Sequence, residues 1–189
     1  MKPRKRILVI TGVPGTGKTS FSNLLAKRIG DTEVIHATDV VNRKRFFTSY
    51  SKDGAKIVQM KRLQNELERM ARSSRKSHVI IESHLLCDLK IRGASALVLR
   101  EHLATLAKRM QDRGYSNGKI KANIVSEATD YCGIRAERNY ATVLEAFSGD
   151  SKLESYALAL ISGKKPKAKE IDLLPEFDKL LRHRKEIAL

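Results

Sequence analysis

The sequence predicts an α/β fold: a five-stranded parallel sheet with helices packed on both faces. Three observations predict it. Short apolar runs rich in β-branched residues recur along the 189 residues, separated by stretches with helical spacing. The first of these runs empties directly into a glycine-rich loop, and that loop opens a helix.

Taken in order, residues 6–11 (R-I-L-V-I-T) are almost wholly apolar, as suits a strand buried on both faces of a parallel sheet. The glycine-rich residues 12–17 follow at once. The helix expected from Lys18 to Ile29 sets Phe21, Leu24, Leu25 and Ile29 on one face, and Gly30 closes it as a C-cap. Residues 33–37 fit a second strand, after which Thr38 or Asp39 can cap a helix. Residues 40–76 contain helical stretches, with Leu63, Leu67 and Met70 at helical spacing, and lead to a strand over 77–82. Residues 95–99 (S-A-L-V-L) give another strand, followed by a helix through Met110. Residues 113–118 are a turn-rich break, and 119–147 read as mainly helical. Residues 156–161 are expected as the last strand and 166–187 as the last helix, all within one domain spanning 1–189.

Hydrophobic residues make up 41% and charged residues 31%, the balance of a soluble protein that buries a core. The longest apolar runs, such as Val79-Ile80-Ile81, fall far short of the ~20 residues that span a bilayer, so no membrane association is expected. A basic start, Lys2-Pro3-Arg4-Lys5-Arg6, imitates a signal peptide. Glycines and Lys18 interrupt the apolar stretch behind it within a few residues. Cys87 and Cys132 make no disulfide framework, and the expected compartment is the cytoplasm. His36, His78, His102 and His183 are scattered without metal-ligand spacing, so no zinc site is predicted.

Charge is the unusual property. Thirty-seven Lys and Arg oppose 21 Asp and Glu, leaving +16, with a pI near 10.0. A surplus of that size favours phosphate-rich partners. It gathers at residues 2–6, 61–76, 164–169 and 182–185. Aromatic residues are only 5% and Trp is absent, which argues for contact with a nucleic-acid backbone rather than base stacking.

Gly12-Val13-Pro14-Gly15-Thr16-Gly17-Lys18-Thr19 fits G-x-x-x-x-G-K-[ST] at every fixed position, the signature of a P-loop NTPase. A loop wrapping a triphosphate must turn successive backbone N–H groups inward, which calls for glycines, and the helix behind it offers its N-terminal N–H groups and dipole. Lys18 is expected on the β- and γ-phosphates of ATP. The Thr19 hydroxyl is expected on Mg²⁺, and Ser20 near the α-phosphate. Such proteins also need an acid at the end of a neighbouring apolar strand to hold the magnesium shell. Val79-Ile80-Ile81-Glu82-Ser83-His84 supplies Glu82 at that point, and His84 faces the same way if the strand continues. His84 can act as an acid/base group or position a water; sequence does not choose between these.

Residues 12–20, the Glu82-x-His84 pair, Leu99-Arg100, residues 106–115, Lys119-Ile120 and Asn123 together resemble the nuclear and archaeal isoenzyme-6 type adenylate kinases, which double as assembly factors of the small ribosomal subunit. The resemblance runs over most of residues 6–170, and Arg109-x-x-x-Arg113-Gly114-Tyr115 is its discriminating block. It implies an NMP-binding lobe at about 38–60 and a short LID at about 112–122. It also implies Arg113 on the ATP phosphates, Arg109 stacked beside the adenine and Lys165 touching the base from the loop after the last strand. Asp39 would orient the second nucleotide, AMP, and Arg43 would bind its phosphate. Arg100, at a strand end, stands outside this arginine pair. Glu82 replaces the Asp of the eukaryotic members, and the lobe is basic (Arg43, Lys44, Arg45, Lys56, Lys61, Arg62) where the family's is often acidic. The implied reaction is ATP-Mg plus AMP to two ADP, with Lys18, Arg109 and Arg113 neutralising the transferring group. An ATP-hydrolysing role in ribosomal assembly, with rRNA and a small-subunit ribosomal protein as partners, stands beside it. The alternative is a kinase of another small acceptor or of a nucleic-acid end.

Overall fold

A computed structural model describes residues 5–51 and 54–182. Lys2, Pro3 and Arg4 of the first basic cluster, His183, Arg184 and Lys185 of the last, and the expected helical residues 183–187 lie outside the described residues.

Five parallel strands form the central sheet: β1 (Arg6–Thr11), β2 (Thr32–His36), and, beyond a small hairpin of β3 (Phe47–Tyr50) and β4 (Lys56–Val58), the strands β5 (His78–Glu82), β6 (Ala94–Arg100) and β7 (Val143–Phe147). Their order across the sheet is β2-β5-β1-β6-β7. The alternation of side chains decides which helix packs where. Leu8, Ile10, Ile80, Leu97 and Leu99 turn to the face covered by α1 (Lys18–Ile29) and α7 (Leu153–Ile161). Val9, Val79, Ile81, Ala96 and Val98 turn to the opposite face. There they meet α2 (Ala37–Lys44), α3 (Met60–Ser73), α4 (Leu103–Asp112), α5 (Asn117–Ala128) and α6 (Tyr131–Asn139). Ile80 and Ile81 are both fully buried, on opposite faces; truncating either to Ala is expected to cost about 2–5 kcal/mol. A last described helix, α8 (Leu174–Arg182), lies against α4 and α5.

Several elements depart from the sequence reading. The fifth strand is Val143–Phe147, not residues 156–161, so 119–147 holds two helices and a strand. In V-L-E-A-F, Leu144 and Ala146 alternate into the core, while Glu145 turns the other way toward Arg100. Residues 156–161 belong to α7 because Y-A-L-A-L-I is built of strong helix formers, and Leu153, Ala157, Leu160 and Ile161 make one buried stripe. The helix expected from residue 166 begins only at Leu174. Residues 40–76 include the β3–β4 hairpin, introduced by Arg45 at φ 52. Helix α2 starts one residue before the expected caps: His36 is its N-cap and makes no side-chain cap bond. Leu24 is 56% exposed rather than packed with Phe21 and Leu25. The C-cap at Gly30 is present, with φ 79 and its N–H on Ala26 O.

Arg100 is a core residue. It is 1% exposed. Its Nε donates to Glu127 Oε1 at 3.1 Å, its Nη2 to Glu127 O at 2.7 Å and its Nη1 to Asp130 Oδ1 at 2.6 Å and to Glu145. This buried charge cluster ties β6 to β7 and α5.

A candidate nucleotide site at the carboxyl ends of the strands

The central strands β1, β5 and β6 end together, and open α/β sheets bind ligands in the crevice outside their carboxyl ends. β1 runs into the glycine loop. Gly12, Gly15 and Gly17 take φ values of 132, 98 and 88, conformations that residues with a Cβ rarely adopt. At Gly12 a Cβ would also come within 2.3 Å of Leu99 O, so this glycine lets the loop pass against β6. Thr16 is buried, with its Oγ1 donating back to Val13 O at 3.1 Å, so its side chain braces the loop.

Lys18, the first residue of α1, is 8% exposed and donates from Nζ to Val13 O at 2.8 Å. Burial lowers its pKa to about 8, and Glu82 pulls the other way. The ammonium is thus stored on a loop carbonyl, with no carboxylate among the described residues in hydrogen-bond contact, where an arriving anion can take it over.

Thr19 Oγ1 donates to Glu82 Oε1 at 3.2 Å, and His36 Nδ1 lies 2.8 Å from the same oxygen. The pairing follows from topology: His36 and Glu82 are register partners at the ends of neighbouring parallel strands. His36 has no motif to announce it. Its only signal in the sequence is a polar residue ending the strand that neighbours the Glu82 strand.

The strand does not continue to His84. It ends at Glu82, and Ser83 caps a 3-10 helix over His84–Asp88, accepting from Leu85 N at 3.3 Å. α6 pins that helix: Asn139 Nδ2 donates to Cys87 O at 2.8 Å and Arg135 Nε to Asp88 Oδ1 at 2.5 Å. The Tyr140 hydroxyl, from the residue that caps α6, donates to Leu86 O at 2.8 Å. His84 still reaches the cleft. Its surface is open to solvent in a concave wall; the protein crowding it, and Lys18 after that, hold its pKa down to about 4. The imidazole is therefore neutral at physiological pH.

These residues line one cleft of about 440 Å³, with Pro14, Gly15, Gly17, Lys18, Thr19 and Ser20 on one side, His36, Thr38 and Asp39 facing them, and Glu82, His84 and Arg113 completing it. Arg113 caps the end of α4. Arg109, one turn earlier, donates from Nη1 to Gly15 O at 3.2 Å and to Glu101 Oε2 at 2.5 Å. Glu101 is buried and also accepts from Ser148 Oγ at 2.5 Å. Sequence reading missed Glu101, whose partners stand 8 and 47 positions away.

Arg109 does not itself line the cleft, and two further expected contacts lie apart. Arg43 is exposed one turn beyond Asp39 on α2 and does not line this cleft. Lys165 follows a helix rather than a strand. It borders a separate cleft of about 780 Å³ with Asp130, Glu137 and Glu145. No helix of the described residues is long and apolar enough to cross a membrane.

Residues 8–130 match the model of a family described as "AAA domain". A protein of Methanosarcina acetivorans described as "Putative adenylate kinase" is 30% identical over 181 residues, covering 87% of this chain and 92% of the relative. One of Thermococcus onnurineus with the same description is 27% identical, covering 94% and 96%. Among solved structures, the shikimate kinase of Acinetobacter baumannii in complex with shikimate superposes with a TM-score of 0.57 at 18% identity, covering 87% of this chain and 97% of that one. At that identity the likeness concerns the fold alone.

Proposed function

This chain belongs to the AAA-domain family and to the archaeal-type adenylate kinases, P-loop kinases that bind nucleotide, and on that premise we propose that it transfers the γ-phosphoryl group of ATP-Mg to AMP. The observation that carries the reading is the shared cleft. Lys18, Thr19, Glu82 and Arg113 line one cleft together with Asp39, and in this reading the wall that carries Asp39 takes the second nucleotide.

Each residue has a task that suits its chemistry. The loop N–H groups and Lys18 hold the β- and γ-phosphates. The Thr19 hydroxyl and the Glu82 carboxylate are hard oxygen donors of the kind Mg²⁺ takes, and His36, on the same oxygen of Glu82, orients the carboxylate from the cleft wall. Bound Mg²⁺ supplies charge neutralisation on the phosphate oxygens. Ser20 is exposed on the first turn of α1, in reach of the α-phosphate. Neutral His84 fits a water- or acceptor-positioning group better than a cationic one. Residues 112–122 serve as the LID with Arg113 on the phosphates, and 38–60 as the NMP lobe. Arg43 reaches nucleotide only if the 38–60 segment moves, and Lys165 only if the loop after α7 does, since both stand outside the cleft.

A second reading is favoured by the charge of +16, which a mononucleotide site does not require. In it the same cleft hydrolyses ATP while the basic surface holds rRNA or a ribosomal protein during small-subunit assembly. The alternative acceptor is another small hydroxylated molecule or a nucleic-acid end.

An acceptor panel tests the first reading. ADP formation from ATP-Mg is measured with AMP, with other nucleoside monophosphates and with shikimate, each against an acceptor-free control. The reading expects AMP to accelerate ADP formation well above the control and above every other acceptor. Equal rates with and without AMP would leave an ATPase.

A further inference from the structure

Aromatic residues are scarce in this chain, five Tyr and five Phe, yet three of those ten, Phe46, Phe47 and Tyr50, fall within five positions at the β3–β4 hairpin. Their surroundings are unusual for aromatics. Lys56 Nζ stands 4.6 Å from the centre of the Phe47 ring, and the Arg62 guanidinium 4.8 Å from that of Phe46. The Phe47 and Tyr50 rings lie 5.7 Å apart at 60°. Phe46 is buried and roots the hairpin in the core, whereas Tyr50 is 60% exposed and Ile57 50% exposed. Tyr50 is paired with Lys56 across the hairpin, so ring and ammonium share one face. Arg43, Lys44, Arg45, Lys61 and Arg62 are exposed around the base of the same hairpin.

Tyr50 and Ile57 are both exposed on one small hairpin, and a partner that covers Tyr50 has to suit a dense cationic rim. A stacking platform inside an electrostatic groove is how proteins hold single-stranded nucleic acid: the cations follow the phosphates and the ring takes a base. Duplex RNA offers no open base face to a ring. An acidic protein segment would satisfy the charges but leave the ring without a planar partner. We infer that the β3–β4 hairpin is a docking face for single-stranded nucleic acid, on which Tyr50 stacks a base while Arg45, Lys56 and Arg62 take phosphates. This departs from the expectation of contact with the backbone alone, because three of the ten Tyr and Phe residues stand where charge is dense. The inference rests on the reading of the basic surface as a nucleic-acid face, and gives that reading a place and a conformation of ligand.

Fluorescence anisotropy on the full chain, with a short mixed-sequence labelled RNA as single strand and as duplex, tests it. The single strand is expected to bind more tightly than the duplex. Tyr50→Ala should weaken it about tenfold or more, the scale of one stacked base, and Tyr50→Phe should restore it. Arg45→Ala and Lys56→Ala should each weaken binding and reduce the salt slope by about one. Lys27→Ala, on the exposed face of α1, should do neither. Because Tyr50 is on the surface, its loss leaves the core intact, and a circular dichroism melt checks this. Single-strand binding that Tyr50→Ala does not change overturns the hairpin site and leaves the nucleic-acid reading standing. Equal affinity for duplex overturns the stacking mode. Displacement of the RNA by polyglutamate at lower concentration than by unlabelled RNA overturns the choice of ligand in favour of an acidic protein. Absence of binding to either RNA at low salt overturns both the site and the reading beneath it.

Discussion

Thr19 Oγ1, at the start of the helix behind the glycine loop, and Glu82 Oε1, at the end of β5, lie 3.2 Å apart across the cleft. Glu82 is 6% exposed, and His36 holds the same oxygen from the neighbouring strand. If these two oxygens flank the Mg²⁺ of ATP-Mg, Glu82→Gln should raise the Mg²⁺ concentration needed for half-maximal turnover. His36→Ala should do so to a lesser degree, on the scale of about 10–100-fold for a lost orienting partner at most. Titrating Mg²⁺ at fixed ATP checks it. An unchanged Mg²⁺ requirement in Glu82→Gln would remove Glu82 from the metal shell.

Lys18 gives the site a pH signature. Burial lowers its pKa to about 8 without ligand, and a polyphosphate bound against the ammonium must raise it again. Only the protonated form attracts the anion. ATP affinity is therefore expected to be level below about pH 7 and to fall as pH rises through 8, by up to about tenfold per unit, with proton uptake on binding. Isothermal titration in two buffers of different ionisation enthalpy measures that uptake. A flat affinity from pH 7 to 9.5 contradicts the assignment.

His84 has the opposite signature. With its pKa held near 4 in the free protein, it gains a proton only in acid, so the profile of kcat/KM should carry no histidine limb between pH 5.5 and 8. His84→Ala should lower kcat more than it weakens ATP binding. A wild-type inflection near pH 6.5 that disappears in His84→Gln would show a histidine titrating during turnover. An equal loss of affinity and rate would make it a binding residue.

Much of this site was legible in the sequence because it is local. Residues 12–19 are one loop, and an acid ending an apolar strand is a short-range pattern. The elements that were misread fail for a physical reason too. Y-A-L-A-L-I is apolar on every side, so periodicity cannot separate a buried strand from a helix, although its alanines and leucines favour the helix. The β3–β4 hairpin is short, and its turn rests on Arg45 in a left-handed conformation that composition does not announce. His36, Glu101 and Arg100 were missed or misjudged because their partners come from other strands and helices. A charged residue at a strand end reads as surface until β7 and α5 close over it.

Arg100 and Arg113 should respond differently to truncation. Arg100→Ala would strand Glu127, which is 1% exposed, without its cation, and the expected cost is about 3–5 kcal/mol of stability. Arg113 lines the open cleft, so Arg113→Ala should leave the melting temperature near wild type and cost about 1–3 kcal/mol in kcat/KM for ATP. Glu101→Gln, which frees Arg109 from its carboxylate, should change KM for ATP with little change in thermal stability. Thermal melts paired with steady-state kinetics separate the three. Equal kinetic losses at folded Arg100→Ala and Arg113→Ala would contradict the placement of Arg113 on the phosphates.

The central claim is phosphoryl transfer between nucleotides in the cleft built on Lys18. Phosphorus-31 NMR of ATP, AMP and Mg²⁺ with the protein follows every species at once. ATP and AMP are expected to disappear together, with two ADP formed for each pair and little orthophosphate, and folded Lys18→Ala is expected to be inert. Orthophosphate rising at the rate of ATP loss while AMP stays constant, or undiminished turnover by Lys18→Ala, would contradict it.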